Sequence, residues 1–162
     1  LKVGAQGSVV IDTVTIVDNT FSANAAIAHM VLEGQQANLD VQNAVFNDQA
    51  RLSLLIEASA AFKASLTCNT FANTTVGLGI TFANALPREA GRDITIADNA
   101  FINNGQSGLQ SPVVLSAANN WWGAPSGPTD ARRNPSGRGA SVSETVTFTP
   151  WLTEEKACTR GP

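Results

Sequence analysis

One phrase of eight residues recurs along this chain and limits what it can fold into. It begins as Val14-Thr15-Ile16-Val17-Asp18-Asn19-Thr20-Phe21 and returns as Ile94-Thr95-Ile96-Ala97-Asp98-Asn99-Ala100-Phe101. Weaker copies run from Leu39 to Phe46 and from Ala64 to Phe71, and an altered fifth runs from Val113 to Trp122. Phe21, Phe46 and Phe71 are 25 residues apart; Phe101 follows after 30 and Trp122 after a further 21. A near-fixed period in the twenties marks a solenoid, in which no unit buries its apolar face without its neighbours. The chain is therefore read as a stack of about five to six coils.

Within a coil the apolar residues alternate. Val14/Ile16, Leu39/Val41, Leu66 and Ile94/Ile96 point one way, the period-two pattern of a half-buried strand. A second apolar stretch follows in each coil: Ala28–Leu32, Leu52–Ile56 and Leu78–Phe82. Helix is the competing reading because Ala is frequent. Alternation, the weight of Thr, Val and Ile, and Asn or Gly at short intervals all favour strand. Ser22–Ala26 reads as small residues at a corner, and 83–92 is the one stretch where a short helix fits. Residues 1–13, with Val9-Val10-Ile11, read as the end of an incomplete coil.

Strands of successive coils must pair to satisfy their backbone groups, so equivalent residues stack about 4.8 Å apart in columns. One column is Asn19, Asn69, Asn99 and Asn119 or Asn120, interrupted at Ala44; Asn suits a bend that needs side-chain bonding or a left-handed backbone. Its companion is Phe21, Phe46, Phe71, Phe101 and Trp122, read as buried aromatic area. Both columns explain themselves without a ligand.

The repeated Asn-x-Phe with a following Asn (Asn19-Thr20-Phe21 to Asn24; Asn99-Ala100-Phe101 to Asn104) resembles the coil signature of right-handed parallel β-helix proteins of the pectate-lyase-like superfamily. Asn119-Asn120-Trp121-Trp122-Gly123-Ala124-Pro125-Ser126-Gly127-Pro128, then Val146–Leu152, is similar to the terminal segment of many secreted and cell-surface members. The resemblance implies an all-β, right-handed parallel β-helix over 1–123, a Gly/Pro-rich loop with a closing strand over 124–152, and a polar, disordered tail over 153–162. An open end exposes core and strand edges and needs a lid, a role read here for Trp121, Trp122 and Trp151. The loop 124–140 is expected to be exposed and irregular. Val142, Glu144, Val146 and Phe148 are expected on one face of the last strand. No comparable lid opens the chain, which is read as a place for upstream coils or a partner chain.

Composition narrows the functional classes. Charged residues are 14% of the chain and the net charge is −3, which argues against a nucleic-acid binder. No apolar run reaches the 18 residues of a membrane span. Cys68 and Cys158 leave two readings open, a disulfide from tail to coil or two separate thiols.

Enzymes of the resembled superfamily are lyases using Ca²⁺ and a basic proton acceptor, or hydrolases using clustered Asp. Paired carboxylates flanking a glycosidic bond stand roughly 5–9.5 Å apart. Asp18 and Asp98 share a column but lie three coils apart, about 14 Å. Glu33 and Glu57 are nearly in register on adjacent coils, and are the one acid pair read as a catalytic candidate. Asp93 in register with Lys63 reads as a surface ion pair. His29, the single histidine, is placed outward. Asp130 is the candidate Ca²⁺ ligand, with no second carboxylate beside it, and no other cofactor is implied. The outward column Thr15, Asp40, Ser65, Thr95 is interrupted by Asp40, which argues against an ice-binding face.

The leading expectation is a non-catalytic extracellular or cell-surface module with a structural or glycan-binding role. Its expected partner is a polysaccharide or cell-surface glycan. The alternatives are a polysaccharide lyase or glycoside hydrolase domain, and a surface-layer or fibre subunit that assembles through the uncapped end.

Overall fold

The computed structural model describes residues 2–4, 14–17, 20–21, 27–33, 38–47 and 52–159. Strand β1 (Lys2–Gly4) precedes four passes of three strands. The first pass is β2 (Val14–Val17), β3 (Thr20–Phe21) and β4 (Ile27–Glu33). The second is β5 (Asn38–Gln42), β6 (Val45–Asn47) and β7 (Leu52–Ala58). The third is β8 (Lys63–Thr67), β9 (Thr70–Ala72) and β10 (Val76–Phe82). The fourth is β11 (Ile94–Ala97), β12 (Ala100–Ile102) and β13 (Ser107–Gln110). Two short strands, β14 (Leu115–Ser116) and β15 (Val146–Thr147), close the series.

Each pass contributes one strand to each of three sheets, and every strand pairing is parallel. Sheet A runs β1-β4-β7-β10-β13, sheet B runs β15-β14-β11-β8-β5-β2, and sheet C runs β12-β9-β6-β3. The chain is all-β and parallel β-helix-like. Among the described residues the helical elements are one-turn 3₁₀ segments, Arg88–Gly91 inside the expected 83–92 stretch and Ala157–Thr159. No helix among them is long and apolar enough to cross a membrane.

The alternation read from the sequence becomes the core. Val41, Leu66 and Ile96 are in register in sheet B and fully buried, while Asp40, Ser65 and Thr95 between them face outward. Sheet A buries Leu54, Leu78 and Leu109 in one column and Ile56 beside Ile80 in the next. Burying each such side chain stabilises by roughly 1.5–3 kcal/mol. In sheet C, Phe46 and Phe71 stack at 5.1 Å, Phe71 and Phe101 at 5.1 Å, and Trp122 continues the pile 4.7 Å from Phe101. Phe21 is in register with Phe46 by its backbone.

The bend between sheets B and C carries the Asn column. Asn69, Asn99 and Asn120 are fully buried there. Asn69 Oδ1 accepts from the Ala44 N–H, Asn99 Oδ1 from the Asn69 N–H and Asn120 Oδ1 from the Asn99 N–H, all at 2.9 Å. The column therefore continues through Asn120, and its break at Ala44 is bridged by Asn69. The residue before each ladder position, Asn43, Cys68, Asp98 and Asn119, has φ between 51° and 61°. That left-handed bend explains the preference for Asn and Asp. Asp18 and Asn19, the run Val9–Ile11 and the corner 22–26 lie outside the described residues.

Four expectations are corrected. The tail is docked over residues 153–159: Cys158 is disulfide-bonded to Cys68 with Cα atoms 5.5 Å apart. Lys156 pairs with Asp98 at 2.7 Å, and the Thr70 hydroxyl donates to the Thr159 carbonyl. The loop 124–140 is irregular but tied down. Gly127, at φ 76°, lies under the Trp151 ring, where an added Cβ would stand 2.5 Å from the indole. Buried Asn134 donates to the carbonyls of Ser126 and Pro128. The last strand alternates over half the expected length: Val146 and Phe148 are buried, but the chain turns before Val146 and leaves Glu144 exposed. The three tryptophans do not form one lid. Trp122 ends the aromatic pile, half-buried Trp121 bridges to Ala100, and Trp151 covers the loop.

Candidate functional site

Sheet A and the loop after Trp122 meet along residues 141–143. The Gly108 N–H donates to the Ser141 carbonyl and the Ser143 N–H to the Leu109 carbonyl, which places this segment as a parallel continuation beside β13. The arrangement follows from the local sequence. Leu109 points inward, so Gln110 and its neighbours carry the outer face. Ser141 and Ser143 turn their hydroxyls back to the carbonyls of Gln106 and Ser111.

Three depressions converge on Ser141. One, of about 450 Å³, lies on the outer face of sheet A along Thr81, Gln106, Gln110, Pro112 and Ser143. A second, of about 590 Å³, is walled by Asp130, Arg132, Arg133 and Glu144. The third, of about 330 Å³, sits between the turn 103–106 and the loop residues Gly123, Thr129 and Arg138. Together they form a groove of amides, hydroxyls and guanidinium groups. The side chains of Gln106, Gln110 and Arg138 are exposed in it, with no partner among the described residues.

Two of the charges on its wall, Asp130 and Arg133, are committed to structure. Asp130 Oδ1 accepts from the Arg132 and Arg133 N–H groups at 3.0 and 2.7 Å, and Oδ2 from Arg133 Nε at 2.8 Å. The Arg133 hydrogen bonds hold the Asp130 carboxyl below its ordinary 3.8, against the opposing effect of burial. Arg133 also donates to the Val146 carbonyl at 2.6 Å and lies 4.8 Å over the Phe148 ring. Arg132 pairs with Glu144 at 3.6 Å, both side chains strongly exposed.

Glu33 and Glu57, the acid pair from the sequence, lie on the paired neighbouring strands β4 and β7. Glu57 stands beside Val31, and Leu32 beside Ala58, so Glu33 is two residues out of register with Glu57. That offset puts their Cα atoms about 8 Å apart, given the strand rise and spacing. One residue of that offset comes from a bulge between Ile27 and Ala28: Leu52 pairs with Ile27 and Leu54 with Ala28, so Ser53 is an extra residue. The side chains of Glu33 and His29 lie outside what is described; by backbone register His29 pairs with Leu55. The same bulge resolves the run Leu54-Leu55-Ile56, where Leu54 and Ile56 are buried and Leu55 covers the outer side of Gly79. Both carboxylate oxygens of Asp130, the Ca²⁺ candidate, accept from Arg133. Among the described residues no cluster of three metal-ligating side chains forms. Asp93 is in register with Lys63, but gives its carbonyl to the Ala64 N–H and forms no ion pair with it.

No family model, curated protein or solved structure matches this chain.

Sequence reasoning missed the groove itself. Gln106, Gln110, Arg138 and Ser141 belong to no motif. Their meeting depends on residues 141–143 joining sheet A from across a long loop, and only the Ser/Gly/Pro richness of that loop was visible.

Proposed function

We propose that this chain is a right-handed parallel β-helix module of the pectate-lyase-like kind, working outside the cell or on its surface, that binds glycans without cleaving them. The observation that carries the proposal is the groove around Ser141. Its uncommitted side chains are amides and one guanidinium, which suit hydroxyl-rich ligands; of its two carboxylates Asp130 is held by Arg133, and Glu144 meets Arg132 only in an exposed surface pair. Glycosidic cleavage asks for two free carboxylates at a set separation. The strand order, the Asn ladder and the aromatic pile support the β-helix assignment, and the Cys68–Cys158 disulfide supports an oxidising location.

Affinity electrophoresis in gels containing one polysaccharide each tests the proposal. At least one polysaccharide should retard the protein, and Gln110→Ala with Gln106→Ala should restore free mobility. Unchanged mobility across neutral and acidic polysaccharides would overturn it.

A further inference from the structure

We propose that Asn73 carries an N-linked glycan. The proposal is independent of the groove and rests on the location outside the cell, since such transfer acts on chains entering the secretory route.

The modification needs an asparagine, then any residue but proline, then a residue bearing a hydroxyl. Asn73-Thr74-Thr75 is the single stretch of the whole sequence that meets this rule. Asn134-Pro135-Ser136 has the hydroxyl but the excluded middle residue. Asn134 is also buried, and its amide is spent on the Ser126 and Pro128 carbonyls.

The fold presents Asn73 as an acceptor must be presented. β9 ends at Ala72 and β10 begins at Val76, so the motif fills the bend between sheets C and A. Asn73 and Thr75 are exposed there, while Thr74 between them is buried. The Asn73 N–H donates to the Ile102 carbonyl, and the Gln106 N–H to the Thr75 carbonyl, so the bend is fixed through the main chain. Asn73 sits at φ 54°, a left-handed conformation that asparagine tolerates.

The side chain of Asn73 belongs to a surface ladder. Its amide donates to Asn47 Oδ1 at 2.8 Å, and its Oδ1 accepts from Asn103 at 3.1 Å. The second amide hydrogen has no partner among the described residues. In the transfer, Nδ2 bonds to the anomeric carbon of an oligosaccharide carried on a lipid pyrophosphate. The bond from that carbon to the pyrophosphate oxygen breaks, the pyrophosphate leaves with the electron pair, and one amide hydrogen leaves as a proton. The nitrogen keeps its other hydrogen for Asn47, so the ladder survives the modification. Asn103 is the internal control. It occupies the same bend one pass on, exposed and at φ 52°, but Gly105 stands where the hydroxyl is needed.

The test is the intact mass of the full chain secreted by a eukaryotic host, before and after the amidase that removes N-linked glycans. The expected result is a mass above that of the sequence, brought down by the amidase, with an aspartate left at the modified position in the peptide map. Thr75→Ala should abolish the added mass and Thr75→Ser should keep it. Both substitutions fall at an exposed position and leave Asn73 and its ladder in place, so folding is retained and is checked by circular dichroism. A folded, secreted chain at the sequence mass would overturn the proposal, as would a glycan that persists in Thr75→Ala. Fractionation of the natural source separates the acceptor from its premise. Modified Asn73 on an extracellular chain supports both, and bare Asn73 on an extracellular chain overturns the acceptor alone. A chain confined to the cytoplasm overturns the location and the acceptor together.

Discussion

Asn99 Oδ1 accepts both the backbone N–H and the side-chain amide of Asn69, at 2.9 and 3.0 Å, from one pass to the next. Its own amide donates to the Leu66 and Ala97 carbonyls. One side chain thus satisfies backbone groups of two passes at a buried bend. Asn99→Ala leaves those groups unmatched, each at about 1–3 kcal/mol. We expect a loss of about 3 kcal/mol or more in urea denaturation with no change in far-ultraviolet dichroism. A loss below about 1 kcal/mol would show that the ladder is not what holds the bend.

The aromatic pile is expected to tolerate shape changes poorly. Phe71 is fully buried between two rings at 5.1 Å. Phe71→Ala should cost about 3–5 kcal/mol, and Phe71→Leu less, because it refills part of the cavity. Equal destabilisation by the two would mean that ring stacking matters more than filled volume at this position.

The tail clasp joins positions separated by 90 residues. Closing a loop of that size removes unfolded-state entropy worth up to about 4.6 kcal/mol. Cys158→Ser should lower the melting temperature, and the same protein without substitution should show the drop when a reductant is added. Intact mass after alkylation without reduction should show no label. Two labels would mean free thiols.

Acid should loosen the loop through Asp130. The folded carboxyl ionises below the ordinary 3.8. Its pairing with Arg133 is therefore fully stabilising above that pH, and is lost as pH falls from about 3.8 through the lower folded value. Asp130→Asn should be less stable than the original chain at pH 6 and should lose less stability on acidification. Parallel stability profiles for the two proteins between pH 6 and pH 2 would contradict this.

Architecture was legible because it rests on repetition: the phrase ending in Phe46, Phe71 and Phe101 reports register directly, and Asn69 and Asn99 mark the bend. Where repetition is broken the sequence misleads. Ser53 adds one residue at a bulge, invisible when coils are aligned by their apolar runs, and it widens the offset of Glu33 from Glu57 from one residue to two. Lys156 and Thr159 read as polar tail residues, and only the fold brings them to Asp98 and Thr70. The groove was illegible for a related reason, since Ser141 reaches Gly108 across the irregular loop and no period predicts that contact.

The most direct measurement is incubation of the purified chain with polysaccharides that retard it, scoring reducing ends and unsaturated products beside a Glu57→Gln control. Retention with no product above the control is the predicted result. New chain ends that the control does not make would contradict a binding module and place catalysis on this stack.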